Sequence, residues 1–571
     1  MWGREVLVCV LVALARPALG QAVPSGPGRL VRIAQGQIRG WLAEGYSVYE
    51  YLNIPYATVP TGVNKFQAPL PPQPIRGTYH ALDYNIKCPQ PGITDHTEDC
   101  LVANVFTPST VTEQSNLPVM VMIHGGGYQT GYGMQTTPRG LVNSHALVAV
   151  SFNYRLGAHG FLCLGTEDAP GNAGMKDMVA LLQWVQTNIA SFGGNPNNVT
   201  VWGCSSGGSA ADLLVLSNMT NPLNSTEGLF HRVIAESGCS VAPFSTQMDP
   251  LENARIFAQR LNFTNVNNIT ALGQFYRNLS YENLTQFDFV GEGRNSTFFF
   301  QPCVERNISQ ERFLHDAPEN ILRRGDFRPL PTLYGYAIRD GFFRFELFNE
   351  WMVAMNDDFT DFLPADLGFT SEDQKVGVAR MIKEFYFGKS KTVTPNNIEN
   401  YVNYFSDVMF LHPVLRAVSS QVRAGNDQVY LFEYSFVTGA NDTVDRGACE
   451  QVWSLMDYRS SPTVTPGFPQ MSQTVRQLWY NFIATGHPTP PGSTSLPAWS
   501  FANENRSPYY SLGDTVTLVE GQPIPWRARI WDSVYSIHYR MPQPPRSAAL
   551  RNTLSNFIWV YTLVMLVFIF K

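Results

Sequence analysis

The sequence is poor in charge and has no excess of basic residues, which excludes several classes of function. Of its 571 residues only 15% are charged, and the formal net charge is −6. A weakly acidic chain without basic clusters lacks the electrostatic footprint of a nucleic-acid-binding protein. Internal repeats and long low-complexity stretches are also missing, which excludes repeat architectures. The hydrophobic content of 44% predicts a globular chain. The charge pattern predicts that this chain has no nucleic-acid partner.

The N-terminus predicts export. Arg4 supplies a positive start, Val6 to Ala15 an apolar run, and residues 18–20 a small-residue cleavage site. This order is typical of a secretory signal peptide, which we place at 1–20. A buried N-terminal helix is the alternative, and the terminal position with these flanks disfavours it.

A second apolar run, 557–571, predicts membrane attachment at the C-terminus. It is shorter than the roughly 20 residues of a full span. Small residues at 547–549 and a polar spacer precede it, the order of a GPI-anchor signal. A short membrane tail is the alternative, and prolines at 542, 544 and 545 disfavour a core helix. We expect one catalytic-type domain at 21–540, a stalk at 541–556 and a hydrophobic anchor signal at 557–571, with the domain extracellular, secreted or at the cell surface.

Sequons and cysteines agree with an oxidising compartment. The dense sequons between 218 and 307 predict a glycosylated, exposed surface. The Asn-x-Ser/Thr asparagines include Asn198, Asn218, Asn224, Asn262, Asn268, Asn278, Asn283, Asn295, Asn307 and Asn441.

Eight cysteines are present, and Cys9 falls within the signal peptide. Cys88 and Cys100 lie close enough in sequence to close a short loop, and we predict that disulfide. Cys239 with Cys303 is a weaker candidate pair. The remaining three, Cys163, Cys204 and Cys449, are interpreted as buried free thiols. The sequence does not fix the pairing among these three cysteines, Cys239 and Cys303.

Short apolar runs alternate with helical patterns, which predicts an α/β fold with a mainly parallel sheet covered by helices. Apolar spacing at 177–189 predicts a helix. The predicted buried strands are 119–123, 146–152, 199–202, 232–235 and 429–432.

Two glycine-containing motifs follow predicted strands and indicate acyl-transfer chemistry. Residues 203–207, Gly-Cys-Ser-Ser-Gly, form the pattern of a nucleophile elbow with Ser205 as nucleophile. Residues 124–127, His-Gly-Gly-Gly, form the pattern of an oxyanion-hole loop. We expect the N–H groups of Gly126, Gly127 and Ser206 to bind the oxyanion. Each motif alone is common by chance, but together they predict a serine hydrolase scaffold.

Further motifs resemble one family across nearly the whole domain: residues 53–57 with 62 and 66, 98–101 with 104–105, 153–157, 170–172 and 192–196. The chain resembles the carboxylesterase type-B family, which includes cholinesterases, carboxylesterases and related lipases. The resemblance implies an α/β-hydrolase fold with a large, mostly parallel mixed sheet. It also implies carboxylic-ester hydrolysis with no cofactor and no metal.

The resemblance carries over an acid but no base. Asp340, before Gly341, matches the family's catalytic carboxylate, which is usually glutamate. Ser237 matches a residue that supports this acid. Where the family has its histidine, this chain has Arg446, and a shift of one residue places Gly447 there.

The other histidines near these positions in the sequence have different interpretations. None lies between His412 and His487. His412 is interpreted as a packing or helix-capping residue and His487 as part of a surface turn, while His124 belongs to the glycine loop.

Arginine stays protonated at physiological pH and has no lone pair for the serine proton. We therefore expect hydrolysis to be lost or strongly impaired, with a ligand-binding or adhesion role, because the family also contains non-catalytic adhesion proteins. The expected partner is a small carboxylic ester, a lipid-like ligand or an extracellular protein. The alternative is an active ester hydrolase with another base, for which a Cys204 or Cys449 thiolate is one candidate. The loop from Cys88 to Cys100 lacks the choline-stacking tryptophan of cholinesterases, so acetylcholine is not expected as substrate.

Overall fold

The computed structural model describes residues 26–223, 227–288, 291–308, 311–439, 448–458, 464–492 and 496–546. Several sequence predictions lie outside these residues. They are the signal peptide at 1–20, the anchor signal at 557–571, most of the stalk, the sequons at Asn224 and Asn441, and Arg446 at the expected base position.

Fifteen strands occur in the described residues. They are β1 Gly28–Ile33, β2 Gly36–Leu42, β3 Val48–Pro55, β4 Thr78–His80, β5 Val102–Pro108, β6 Leu117–Ile123, β7 Thr136–Thr137, β8 Val148–Phe152, β9 Gly194–Cys204, β10 Arg232–Glu236, β11 Thr332–Ala337, β12 Val429–Tyr434, β13 Asp457–Tyr458, β14 Tyr509–Leu512 and β15 Val516–Val519.

Fifteen α-helices accompany them. They are α1 Arg139–Ser144, α2 Gly157–Phe161, α3 Ala173–Asn188, α4 Ser206–Val215, α5 Pro250–Arg260, α6 Ile269–Asn278, α7 Tyr281–Leu284, α8 Pro318–Arg324, α9 Phe348–Asp357, α10 Glu372–Phe387, α11 Ile398–Ser406, α12 His412–Arg423, α13 Val452–Leu455, α14 Phe468–Thr485 and α15 Pro525–His538. Short 3₁₀ segments cover Gly62–Asn64, Ile189–Phe192, Asp340–Leu347, Phe359–Phe362 and Pro395–Asn397, and a π-helical turn covers Asp407–Leu411.

Thirteen of the strands form one mixed sheet, in the order β1-β2-β3-β5-β8-β6-β9-β10-β11-β12-β14-β15 with β4 beside β2. The run from β8 to β14 is parallel, and the flanking pairs β1–β2, β2–β3, β3–β5, β5–β8 and β14–β15 are antiparallel. β7 and β13 form a separate two-stranded sheet. Each predicted strand and the predicted helix are present, so the predicted α/β fold is confirmed.

The sheet is buried on both faces, as a parallel sheet covered by helices must be. Along β6, Val119 and Val121 belong to one apolar cluster together with α3 and α4, while Met120 belongs to a second cluster together with α14. Successive side chains of a strand point to opposite faces, so this alternation places helices on both sides. The carboxyl ends of β9, β10 and β11 therefore meet at one edge between two helical layers. No helix of the described residues is long and apolar enough to cross a membrane.

Candidate active site

The predicted nucleophile elbow is a tight turn between β9 and α4. Ser205 has φ 57° and ψ −127°, a conformation that L-residues rarely adopt. The flanking glycines are required by packing. A Cβ at Gly203 would lie 2.3 Å from the backbone of Gly207, and one at Gly207 would lie 2.2 Å from the carbonyl oxygen of Ile123. The turn thus lifts Ser205 out of the sheet edge, as the motif predicted.

The glycine loop lies directly against this turn. A Cβ on Gly125 would lie 2.9 Å from the carbonyl oxygen of Cys204 and 3.3 Å from Cβ of Ser205. Gly126 and Gly127 have φ of 114° and 63°, which favours glycine. Within the described residues the N–H groups of these two glycines donate no hydrogen bond. They remain available to an oxygen near Ser205.

A cavity of about 280 Å³ opens at Ser205. Its wall is mostly apolar, and among the described residues none that lines it is acidic, lysine or arginine. The lining consists of Ile123, His124, Gly125, Gly126, Gln135, Thr136, Trp202, Cys204, Ser205, Phe343, Ala448, Cys449 and Val452.

Asp340 follows β11 and is completely buried. Its Oδ2 accepts the N–H of Ala337 at 2.9 Å, and its Oδ1 accepts the N–H of Cys449 at 2.8 Å. Burial raises the pKa of Asp340 to about 7. The hydrogen bonds from these N–H groups and from the Ser237 hydroxyl stabilise the carboxylate and so act in the opposite direction. The predicted acid and Ser237 are thus brought together beside the elbow.

Ser237 follows β10 and is also completely buried. Its Oγ accepts Nε2 of Gln451 at 3.0 Å. Glu236, the preceding residue, accepts hydrogen bonds from the indole N–H groups of Trp202 at 2.8 Å and Trp479 at 2.6 Å. Burial raises the pKa of Glu236 to about 7. Sequence reasoning missed Glu236 and Gln451, since only the folded chain places them beneath the elbow.

No histidine takes the place of the base among the described residues, which include all ten histidines of the chain. No hydrogen bond within this part of the molecule reaches Ser205 Oγ, and none joins an imidazole to Asp340. His412 contacts Asp532 at 3.3 Å and His487 contacts the Tyr430 hydroxyl at 2.9 Å, both away from the cavity lining.

His124 lines the cavity but is engaged by its own loop. Its Nδ1 donates to the Gly125 carbonyl oxygen at 2.9 Å, and its ring stacks on Tyr154 with 4.3 Å between centroids. Its Nε2 is buried without a hydrogen-bond partner in the described residues. Burial lowers the pKa of His124 to about 4, so the ring is neutral at physiological pH.

The predicted Cys88–Cys100 disulfide is present, but the interpretations of the five other described cysteines are wrong. Cys163 pairs with Cys303, and Cys239 is the one free thiol of the described residues and is buried. Cys204, beside the nucleophile, pairs with Cys449, beside the acid. A disulfide sulfur carries no thiolate, so neither Cys204 nor Cys449 acts as a base in this structure.

Spacing in the sequence gave no indication of these two pairs. The paired cysteines are 140 and 245 residues apart, respectively, so only the folded sheet brings them together. Within the described residues no group of three or more His, Cys, Asp or Glu side chains is arranged to hold a metal ion.

Three comparisons with known proteins identify relatives among the carboxylesterases. A model described as the carboxylesterase family matches residues 27–531. Esterase FE4 of Myzus persicae is 32% identical over 428 residues, which cover 71% of this chain and 73% of that protein. Liver carboxylesterase of Sus scrofa is 28% identical over 571 residues, covering 90% of this chain and 94% of that protein. The crystal structure of juvenile hormone esterase from Manduca sexta superposes with a TM-score of 0.77 at 24% identity, covering 89% of this chain and 100% of that one.

Proposed function

Because this chain belongs to the carboxylesterase family, we propose that it binds small carboxylic esters or lipid-like ligands at Ser205 and that its ester hydrolysis is lost or strongly impaired. The observation that carries this proposal is the absence, in the described residues, of any imidazole hydrogen-bonded to Ser205 Oγ or to Asp340. The sequence has Arg446 where the family has its histidine.

Without a base, the nucleophile turn, the glycine loop and the acid do not suffice for hydrolysis, because acyl transfer begins with removal of the serine proton. An arginine at the base position is always protonated and has no acceptor. In a serine protease, loss of the histidine lowers kcat by about 10⁶-fold, and the oxyanion hole and binding leave roughly 10³–10⁴-fold over water. We therefore expect residual hydrolysis far below that of an ordinary esterase.

The cavity supports the ligand class. The N–H groups of Gly126 and Gly127 have no acceptor among the described residues, which favours a carbonyl or carboxylate oxygen next to Ser205. Trp202, Phe343 and Val452 offer an apolar surface to the acyl group. A volume of about 280 Å³ corresponds to roughly nine water molecules, which suits a short acyl ester or the head of a longer lipid.

An active ester hydrolase is the second candidate, and one observation favours it. His124 lines the same cavity, is neutral, and keeps Nε2 without a partner in the described residues. If a loop movement brought Nε2 to Ser205 Oγ, this ring would serve as the base.

Hydrolysis of 4-nitrophenyl butyrate distinguishes the two candidates. We expect the parent protein to be near background, and Arg446→His to raise kcat at least about 100-fold through the restored base. Ser205→Ala added to Arg446→His is the matched control and should abolish the gain. Turnover by the parent of about 1 s⁻¹ or more that Ser205→Ala removes would contradict the proposal, and His124→Asn would then test His124 as base.

We also propose that residues 21–540 form an extracellular domain, exported by the signal at 1–20 and attached to the membrane through 557–571. The same domain would bind an extracellular protein in an adhesion role. Seven of the ten sequon asparagines named above are exposed and thus accessible to glycosylation: Asn218, Asn262, Asn268, Asn278, Asn283, Asn295 and Asn307. Asn198 is half-buried and bonded to Arg232 and Ala484. Release from the cell surface by phosphatidylinositol-specific phospholipase C would support a GPI anchor, whereas retention would support a membrane tail.

A further inference from the structure

The three disulfides of the described residues lie in different surroundings. The pairs Cys88–Cys100 and Cys163–Cys303 are at most 1% exposed at every cysteine. In the third pair Cys204 is 5% exposed and Cys449 is half-buried, and both line the cavity at Ser205. A small thiol that enters the cavity therefore meets the third disulfide and neither of the other two.

This disulfide fixes the position of one cavity wall. Ala448, Cys449 and Val452 line the cavity from the acid side. Two hydrogen bonds hold this segment. The N–H of Cys449 donates to Asp340 at 2.8 Å, and the side-chain amide of Gln451 donates to the Ser237 hydroxyl at 3.0 Å. The Cys204–Cys449 bond is the covalent link between this wall and the residue next to the nucleophile.

We propose that the Cys204–Cys449 disulfide is a thiol-sensitive switch that controls ligand binding in the cavity at Ser205. The inference rests on the proposed ligand-binding function of this site. The co-reactant is a dithiol, which is oxidised to its own cyclic disulfide while the protein disulfide is reduced to two thiols.

The surroundings favour one direction of attack. A thiolate of the reductant attacks Sγ of the more accessible Cys449, and the S–S bond breaks with its electron pair on Sγ of Cys204. Nε2 of Gln451 lies 3.4 Å from Sγ of Cys204 and donates to it, which stabilises the departing thiolate. The second thiol of the reductant then displaces Cys449 from the mixed disulfide, and both protein sulfurs take up protons.

Reduction removes the covalent link and leaves the wall held by these hydrogen bonds and by the apolar packing of Val452. A binding site that is less rigidly preorganised loses affinity, because ligand binding must then order the wall. We therefore expect the reduced protein to bind its ligand more weakly than the oxidised protein, with the fold retained by the two buried disulfides.

Differential alkylation tests the selectivity of reduction. The full-length glycosylated protein is treated with increasing dithiothreitol, alkylated with iodoacetamide and mapped by peptide mass spectrometry. We expect Cys204 and Cys449 to be labelled at least about tenfold faster than the other four paired cysteines. Cys239→Ala, which removes the buried free thiol, is the matched control and should behave like the parent. Equal labelling of all six cysteines overturns the proposal.

Ligand binding tests the consequence. Quenching of tryptophan fluorescence by 4-nitrophenyl butyrate, with Trp202 in the cavity wall, gives the Kd before and after reduction. We expect the Kd to rise at least about fivefold on reduction. Cys204→Ala/Cys449→Ala should show this weaker Kd from the start and no response to dithiothreitol. Should this variant fail to fold, the selectively reduced and alkylated parent provides the same reading.

An unchanged Kd in protein labelled at Cys204 and Cys449 overturns the switch. Rapid hydrolysis of the ester by the parent contradicts the proposed function instead. In that case the switch is tested by measuring KM before and after reduction. Failure of the switch and failure of the proposed function are therefore distinguishable.

Discussion

The nucleophile side and the acid side of the cavity keep different parts of an esterase. On the nucleophile side, the turn at Ser205 and the glycine loop have the geometry that the motifs predict. On the acid side, Asp340 is in place, but its oxygens accept backbone N–H groups, and no imidazole of the described residues contacts it.

The difference teaches that the two sides depend on different physics. The glycines of the elbow are required by backbone packing, since a Cβ on Gly203 or Gly207 would lie within 2.3 Å of a backbone atom. Such a turn is retained for folding whether or not the serine reacts. A base depends on the chemistry of one side chain, and its replacement would not disturb this backbone packing. An elbow therefore indicates the fold, and the base indicates the activity.

The largest effect should come from filling the elbow. Gly207→Ala places a Cβ against the carbonyl oxygen of Ile123, and backbone atoms cannot move aside cheaply. We expect the free energy of unfolding to fall by about 3 kcal/mol. Gly377→Ala in α10 is the matched control, because its Cβ meets no atom within 4 Å, and it should raise stability by up to about 1 kcal/mol. Equal stability of the two variants in chemical denaturation would show that the elbow is not tightly packed.

On the acid side we predict a dependence of stability on pH. The pKa of Asp340 rises from 3.8 to about 7 on folding, because burial disfavours the carboxylate. The folded protein therefore holds more protons than the unfolded chain between these values, and stability falls as the pH rises through this window. The slope for one such group is at most about 1.4 kcal/mol per pH unit.

Asp340→Asn tests this dependence. It removes the titrating group, so the fall in unfolding free energy between pH 5 and 7 should shrink by about 2 kcal/mol. Glu236→Gln is the companion variant, because burial raises the pKa of Glu236 to about 7 as well. Denaturation at several pH values gives the slopes. A slope that neither substitution changes would contradict the assignment.

The sequence allowed the fold and the nucleophile side to be predicted because both leave local patterns. The apolar run of β6 and the residues 199–202 of β9 predict buried parallel strands, and Gly203 to Gly207 predict the turn. The disulfides Cys163–Cys303 and Cys204–Cys449 could not be predicted, since each joins residues that only the finished sheet brings together. The same is true of Glu236, whose burial beneath two tryptophans has no local signal.

The smallest effect concerns the strain at the nucleophile. Ser205 has a positive φ that costs about 1–3 kcal/mol in a residue with a side chain. Ser205→Gly removes this strain, but glycine loses about 0.5–1 kcal/mol more backbone entropy on folding. We expect a net gain in stability of about 1 kcal/mol, measured by thermal denaturation, together with loss of any residual hydrolysis. Ser206→Gly, one residue later at the start of α4, is the control and should lower stability. If Ser205→Gly also lowers stability, the turn is not strained, and the conformation of Ser205 then follows from the packing of its neighbouring glycines alone.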